Sequence, residues 1–242
     1  MRFLVTRPRD DAEAFAQTLR ARGHVAIVAP VMELRVMTAA PIALEGVQAV
    51  LVTSANGVRA LAAGTKRRDV TLYAVGPQTA EAARDAGFTI VISAEGDSAA
   101  LVETVARDLD QARGTLLHAA GAETAGRLRQ ALQARGFKIE TAVLYEAVQV
   151  AKLPAEAEEA LRNGTVDGVF LFSPRSARIF ATLVGDAGLT AQCAKLIACC
   201  ISAATAEALN PLSFARVSVA GSPNQDAILD LVPPHGAMRQ NP

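Results

Sequence analysis

The sequence predicts an α/β protein made of two copies of one unit, each built around a parallel β-sheet. Apolar runs of strand length alternate with helical patterns along almost the whole chain, which is typical of βαβ units. Three segments of the first half return in the same order in the second half. Of the 242 residues 51% are apolar, only 4% are aromatic and Trp is absent. We therefore expect a core of Ala, Val, Leu and Ile, which suits helices packed on a parallel sheet.

The repeated segments lie about half a chain length apart. They are VLVTSANGVRALA (50–62) with VFLFSPRSARIFA (169–181) at an offset of 119, GPQTAEAARDAGF (76–88) with SAATAEAL (202–209) at 126, and LRARGHVAIVAPVMEL (19–34) with LQARGFKIETAVLYEA (132–147) at 113. Three matches in one order indicate an internal duplication. A binding site between the two copies is then the first place to look.

The first half contains four successive units. The first has the strand FLV, a helix from about Asp10 to Arg22, Gly23 just after the helix, and the strand VAIVAP. The next three each pair a strand with a helix, and their strands are AVLVTS, LYAVG and TIVIS. The last helix follows the capping pair Asp97 and Ser98. The second half repeats this order from about residue 114, and the Pro-rich tail PPHGAMRQNP is expected to be frayed.

Two segments depart from this rhythm. VMELRVM (31–37) and AVLYEAVQV (142–150) alternate between apolar and polar residues, and a proline follows each of them. Because they fall at equivalent places in the duplication, we expect them to be paired, extended connectors at which the chain crosses between domains. This predicts a discontinuous domain of residues 1–34 and 152–242 and a continuous domain of residues 38–144. A simpler tandem arrangement, 1–113 and 114–242, fits the same periodicity.

Charge, cysteines and apolar segments limit the classes of partner and compartment. The 24 basic and 24 acidic residues argue against a broad surface for nucleic acid or for an anionic membrane. Cys193, Cys199 and Cys200 lack metal-ligand spacing and are expected to be buried free thiols, which fits a reducing cytosol. MRFLVTRPRD is not a signal-peptide pattern, and no uncharged stretch reaches the roughly 18 residues that span a bilayer. We therefore expect a cytoplasmic protein with no membrane partner.

Polar residues follow the predicted strands at the points where the helices begin. In doubly wound sheets, ligands bind beyond the carboxyl ends of the strands, where helix N-termini present free N–H groups. The candidate substrate-binding residues at these junctions are Thr6, Arg7, Ser54, Asn56, Thr79, Ser173, Arg175, Ser176 and Thr205. Each hydroxyl could equally be a simple N-cap. The junctions contain no acidic residue, however, and this favours an anionic ligand.

Other chemistries lack their motifs. No G-x-G-x-x-G follows a strand, and GAETAG (121–126) lacks the Lys-Ser/Thr pair of a phosphate-binding loop. With three histidines, no H-E-x-x-H and no metal-ligand spacing of cysteines, we expect no metal. G-x-S-x-G is absent as well. Catalysis is therefore expected to come from binding and orienting the substrate.

At these junctions the chain resembles the uroporphyrinogen-III synthase family. The segments Thr6-Arg7-Pro8, TSANGV, AVGPQTAEA, LYE, FSPRSA and the second TAEA follow the order of the family over nearly the full length. The resemblance implies two flavodoxin-like domains joined by a two-stranded ladder, with the active site in the cleft between them. It also implies a monomer without a cofactor, in transient contact with the preceding enzyme of the pathway.

The implied reaction is cyclisation of hydroxymethylbilane, a linear tetrapyrrole carrying acetate and propionate groups, to uroporphyrinogen III with loss of water and inversion of ring D. Tyr145 matches the connector tyrosine of the family, so the resemblance implies that it assists departure of the hydroxyl as a hydrogen-bond donor or acid. The candidate hydroxyls would hold substrate carboxylates. The alternative is a two-domain anion-binding sensor or carrier without catalysis. Ser202 stands where the first copy has Gly76, which predicts a differently shaped loop at Thr205.

Overall fold

The computed structural model describes residues 1–37, 41–122 and 125–234, and the chain divides into two compact units. The first unit comprises Met1–Glu33 and Val148–Pro242, and the second comprises Leu34–Ala147. Three parts of the predictions lie outside the described residues: 38–40 at the start of the predicted continuous domain, 123–124 of the GAETAG segment, and 235–242 of the predicted tail.

Strands and helices alternate along the chain. The strands are β1 (Arg2–Val5), β2 (Val25–Val28), β3 (Met32–Val36), β4 (Val47–Val52), β5 (Leu72–Ala74), β6 (Val91–Ser93), β7 (Thr115–Gly121), β8 (Ile139–Gln149), β9 (Gly168–Leu171), β10 (Ile197–Cys200) and β11 (Arg216–Val219). The helices are α1 (Arg9–Ala21), α2 (Ala55–Gly64), α3 (Pro77–Asp85), α4 (Ser98–Asp108), α5 (Ala125–Ala134), α6 (Ala155–Arg162), α7 (Pro174–Asp186), α8 (Thr190–Cys193), α9 (Ala203–Glu207) and α10 (Gln225–Leu229).

The local signals in the sequence place these elements closely. Gly23 follows the first helix with φ of 81°, the left-handed conformation that glycine adopts without strain. The carboxylate of Asp97 accepts hydrogen bonds from the N–H groups of Ala99 and Ala100, as expected of an N-cap. The strand predicted as TIVIS is shorter than expected and begins at Val91, and the N–H of Thr89 before it donates to the carbonyl of Arg68.

The first unit has a five-stranded parallel sheet in the order β11-β10-β9-β1-β2. In this sheet Leu4 pairs with Ile27 on one side and with Val169 on the other. Strands from both ends of the sequence therefore share one sheet. The core differs from the expected aliphatic one, because Phe3, Phe15 and Phe170 are fully buried and pack edge-on against one another.

The second unit has a six-stranded sheet in the order β3-β8-β7-β4-β5-β6, in which β8 to β6 run parallel. Alternate residues of β4 enter two cores. Val50 and Val52 belong to one apolar cluster, whereas Leu51 belongs to the other. This is the two-residue period of a strand that is covered on both faces.

Both units use the same strand order. Read from β2 to β11 the first sheet is β2-β1-β9-β10-β11, and the second is β8-β7-β4-β5-β6. Strands at equivalent positions in the two sheets are therefore the copies of each other that the sequence offsets predict. The order is that of flavodoxin-like doubly wound sheets, and it confirms the expected fold class.

The two connector strands lie side by side at one edge of the second sheet. The N–H of Met37 donates to the carbonyl of Leu144, and the N–H of Val150 donates to that of Val31, so β3 and β8 run in opposite directions. In the first copy Pro30 separates β2 from β3, because proline has no N–H with which to continue a ladder. Val143 occupies the equivalent place in the second copy, and β8 runs unbroken over 11 residues.

The three cysteines are buried and free, as expected. Burial raises the pKa of Cys193 and Cys200 to about 11 and that of Cys199 to about 12, so the thiols stay protonated and are poor nucleophiles. Across the described ranges, no helix combines the length and the apolar character needed to cross a membrane.

Candidate functional site

The polar residues predicted from the sequence lie at the carboxyl ends of the central strands. In each sheet the order reverses between two strands, β1 and β9 in the first unit and β7 and β4 in the second. Thr6 and Ser173 follow the first pair, and Gly121 and Ser54 end or follow the second. This reversal is where doubly wound sheets bind their ligands.

Ser54 starts helix α2 and holds a tyrosine. Its backbone is extended, with φ of −159° and ψ of 156°, and its Oγ accepts a hydrogen bond from the N–H of Gly57 at 3.1 Å. The same Oγ lies 2.9 Å from the phenol oxygen of Tyr145, and either atom could be the donor. The structure therefore brings together two of the predicted site residues, one from the end of β4 and one from the connector strand β8.

Gly121 leaves the space that the Tyr145 ring occupies. The pairing of β7 with β8 shifts by one residue after Ala120, so that Gly121 lies opposite Tyr145. A Cβ built on Gly121 would lie 2.7 Å from Cζ and 2.9 Å from the phenol oxygen of Tyr145. Any larger residue at 121 would push the ring away from Ser54, so the glycine is required by the close approach of the tyrosine.

Ser173 starts helix α7 in the same way but keeps its hydroxyl within the loop. Its Oγ accepts the N–H of Ser176 at 3.0 Å and donates to the Ser176 Oγ at 3.1 Å. The Ser176 Oγ in turn accepts the N–H of Ser173 at 3.1 Å and donates to its carbonyl at 2.9 Å. The two serines form a closed capping box, and Ser176 is only 3% exposed.

The three predicted threonines are buried. Thr6 and Thr205 are 0% exposed and Thr79 is 6% exposed. The Thr6 hydroxyl donates to the carbonyl of Phe170 at 2.7 Å, which ties the end of β1 to β9. The Thr205 Oγ1 lies 3.0 Å from the Oγ of Ser202 at the start of α9. In this structure the hydroxyls of Thr6 and Thr205 support the loops.

The charged and amide candidates are partly exposed. The Arg7 guanidinium lies 5.0 Å from the ring centroid of Phe172, donates to Gln225 at 3.0 Å and forms an ion pair with Asp11 at 3.3 Å. Asn56, in the first turn of α2, accepts a hydrogen bond from Arg59. Arg175 occupies the first turn of α7, beside the Ser173 cap.

At the start of the Thr205 loop the backbone is extended as it is in the first copy, although the helix that follows is shorter. Ser202 has φ of −156° and ψ of 163°, and Gly76 has φ of −160° and ψ of 179°. Both conformations are extended, which any residue can adopt, so the change from Gly to Ser costs no strain. Ser202 adds a side-chain cap, because its Oγ accepts the N–H of Thr205 at 3.3 Å.

His118 is a buried titratable side chain in β7. It is 0% exposed, and neither ring nitrogen has a hydrogen-bond partner. Burial lowers the pKa of His118 to about 4, so the ring is neutral at neutral pH. The part of the chain that the structure describes contains no group of three His, Cys, Asp or Glu side chains that could hold a metal ion.

A comparison with protein families identifies the chain. The model described as HEM4, uroporphyrinogen-III synthase HemD, matches residues 13–230. The chain belongs to the uroporphyrinogen-III synthase family. Its members are cyclising lyases of tetrapyrrole biosynthesis, and that is the function of this chain. A search of curated proteins found no match.

Solved uroporphyrinogen-III synthase structures resemble the chain along its whole length. The enzyme from Helicobacter pylori is 18% identical, with 96% of this chain and 98% of that chain covered and a TM-score of 0.62. A triple mutant of the enzyme from Thermus thermophilus is 20% identical, with 95% and 96% covered and a TM-score of 0.48. The wild-type Thermus enzyme is 19% identical, with 96% of each chain covered and a TM-score of 0.41. The Helicobacter structure supports the two-domain α/β fold.

Sequence reasoning missed two glycines of the site. Gly121 was noted only as part of a failed phosphate-binding motif, yet it makes room for Tyr145. Gly57 follows Ser54 at the third helical position, and a Cβ there would lie 2.9 Å from the carbonyl oxygen of Ala119. The signal for Gly57 was in the sequence, because the duplication places it opposite Ser176 at the offset of 119.

Proposed function

We propose that in this chain Tyr145 assists the departure of the hydroxyl group when hydroxymethylbilane cyclises to uroporphyrinogen III. The observation that carries this proposal is the placement of Tyr145. Its phenol oxygen lies 2.9 Å from Ser54 at the start of α2, beside the strand ends where a doubly wound sheet binds ligands. Gly121 leaves room for the ring in that position.

The chemistry asks for little acid or base strength. Departure of the hydroxyl as water leaves an electrophilic azafulvene, which the electron-rich substituted carbon of ring D attacks to give a spiro intermediate. The intermediate fragments and recloses with ring D inverted. The open chain closes without inversion when left alone, so the enzyme must hold one conformation and direct the leaving group. A phenol held by one hydrogen bond meets that need.

The substrate carboxylates would be held at the helix starts. We assign direct contacts to the partly exposed residues Arg7, Asn56 and Arg175, together with backbone N–H groups in the first turns, including the turn that the closed box of Ser173 caps. Four buried residues would keep those turns in shape. They are Thr6, Thr79, Ser176 and Thr205. Ser54 stands apart because it contacts Tyr145.

We also propose the setting of the reaction. The chain would act as a monomer in the cytoplasm, without a cofactor, and would meet the preceding enzyme of the pathway transiently. The three free, buried cysteines support a reducing compartment. The functional domains would be residues 1–34 with 152–242 and residues 38–144, joined by the connectors 31–37 and 142–150. The mixed origin of the first sheet supports that division.

The direct experiment supplies freshly prepared hydroxymethylbilane to the purified protein and separates the uroporphyrinogen isomers that form. We expect the molar amount of isomer III to exceed that of the protein, which shows multiple turnovers. We also expect isomer III to form far faster than uroporphyrinogen forms in a sample without protein. Formation of isomer I alone, at the rate of the protein-free sample, would contradict the proposed function. The alternative, an anion-binding protein without catalysis, would then remain.

A further inference from the structure

The hydroxyl of Ser54 sits between a helix N-terminus and Tyr145. A serine hydroxyl has one proton and two lone pairs. One lone pair of Ser54 accepts the N–H of Gly57 at 3.1 Å, and the remaining neighbour that the structure describes for this oxygen is the phenol oxygen of Tyr145 at 2.9 Å. The direction of that last hydrogen bond decides what Tyr145 can do.

Only one of the two directions leaves Tyr145 able to act. If the phenol donates to Ser54, its single proton is already used and cannot reach a leaving group. If Ser54 donates to the phenol oxygen, the phenol proton is free to point at the substrate. The second direction also gives the serine proton an acceptor. At the equivalent Ser173 this acceptor is the Ser176 Oγ, but the corresponding residue beside Ser54 is Gly57, which has no side chain.

We propose that Ser54 is a positioning residue that acts through Tyr145, donating a hydrogen bond to the phenol oxygen at the N-terminus of α2. This inference rests on the proposed role of Tyr145 and assigns Ser54 to it instead of to a substrate carboxylate. The hydrogen bonds then run in one direction, from the Gly57 N–H to the Ser54 Oγ, from the Ser54 hydroxyl to the phenol oxygen, and from the phenol to the departing hydroxyl. Such a chain polarises each of its members.

The proton balance of the step follows from this direction. The phenol proton moves to the hydroxyl oxygen of the substrate as the carbon–oxygen bond breaks, and that oxygen leaves with the electron pair as water. The negative charge on the phenol oxygen is stabilised by the Ser54 hydroxyl and by the positive end of the ten-residue helix α2. The proton released when ring D regains its pyrrole form returns to the phenol oxygen, so nothing is consumed besides the substrate.

Substitutions at Ser54 separate this role from helix capping. Ser54→Ala removes both the cap and the donor, Ser54→Asp keeps an acceptor for the helix but has no proton to donate, and Ser54→Thr keeps both. We expect kcat for isomer III to fall roughly 10–100-fold in the Ala and Asp variants and to stay within about threefold in Thr. Asp97→Ala, which removes the cap of α4 in the same unit, should leave kcat unchanged.

Two further readouts separate this inference from the function on which it rests. In a Tyr145→Phe background, Ser54→Ala should lower kcat no further, because the residue through which it acts is gone. The chain has two tyrosines and no Trp, so protein labelled with ¹³C at the tyrosine Cζ gives two signals, and Tyr73→Phe assigns them. Ser54→Ala should shift the Tyr145 signal, whereas Asp97→Ala should not.

An unmoved Tyr145 signal, or independent losses in the double variant, would overturn the role of Ser54 even if the protein makes isomer III. A large rise in KM with kcat preserved in Ser54→Ala would return Ser54 to the substrate carboxylates. Failure of the unsubstituted protein to make isomer III would instead contradict the proposed function, while the tyrosine signal would still report the hydrogen bond.

Discussion

Ser54 and Ser173 occupy the same place in the two copies, yet their hydroxyls serve different partners. Both begin a helix, with φ of −159° and −164° and the same ψ of 156°. Ser173 shares its hydroxyl with Ser176 in a closed box, and Ser54 shares its hydroxyl with Tyr145. The backbone repeats, while the chemistry depends on the third helical residue, which is Gly57 in one copy and Ser176 in the other.

The partner of Ser54 exists because the second copy has an unbroken strand. Tyr145 corresponds to Met32 in the first copy, where Pro30 ends β2 before the connector begins. In the second copy β8 continues through this point, and Gly121 opposite Tyr145 leaves room for the ring. The duplication therefore supplies two similar helix starts. The tyrosine itself, the unbroken strand β8 and the glycine at 121 together place a phenol beside one of them.

The largest expected effect comes from removing that phenol oxygen. Tyr145→Phe should lower kcat for isomer III by roughly 10²–10⁴-fold, the usual contribution of a positioned acid, and leave product affinity almost unchanged, because the ring still packs against Gly121. Steady-state rates with hydroxymethylbilane and equilibrium binding of uroporphyrinogen III would measure the two quantities.

The other tyrosine provides the control. Tyr73 is 2% exposed and belongs to a different apolar cluster from the one against which Tyr145 packs. Tyr73→Phe should therefore keep the wild-type kcat. Equal losses of turnover and affinity in Tyr145→Phe would mean that the tyrosine packs rather than reacts.

The second-largest expected effect is on the pH dependence of stability. It comes from His118 in β7, at the position where the first copy has Val5 in β1. The pKa of His118 is lowered by burial to about 4, so the unfolded chain binds a proton more readily than the folded one. The free energy of unfolding is therefore highest above pH 6.5 and falls as the pH drops toward 4, by about 3 kcal/mol for this residue. His118→Val should remove that part of the decline.

Urea unfolding of both proteins at pH 7.5 and pH 4.5 measures this difference. All other titratable groups are the same in the two proteins, so the comparison isolates His118. The same decline in both would mean that His118 finds a partner or water that the burial argument omits.

The sequence predicted the parts of this comparison that repeat and missed those that do not. The alternation of strands and helices and the helix starts follow from local patterns that are written twice, so Ser54 and Ser173 could be placed at helix starts without a structure. The role of Tyr145 came from the family resemblance. Gly121 could not be found this way, because its contact depends on a one-residue shift in the pairing of β7 with β8.

The sequence also did not predict which side chains are buried. A threonine after a strand looks the same whether its hydroxyl faces solvent or a neighbouring carbonyl, and Thr6 does the latter. The aromatic core of the first unit was missed for a similar reason. Few phenylalanines are present in the chain, and composition does not say that Phe3, Phe15 and Phe170 converge in one cluster.

The smallest expected effect tests whether the buried threonines act through their loops. Thr205 is 0% exposed and its hydroxyl contacts Ser202, whereas the helix that contains Thr79 begins at Gly76, which offers no side chain. Thr205→Ala should weaken product binding by roughly 1 kcal/mol, the value of one hydrogen bond, because Ser202 loses a partner at the start of α9. Titration with uroporphyrinogen III measures it. Thr182→Ala, on the exposed surface of α7, is the matched control. If Thr205→Ala binds product with wild-type affinity, the turn does not need that hydroxyl, and the capping of α9 by Ser202 alone keeps its N–H groups in place.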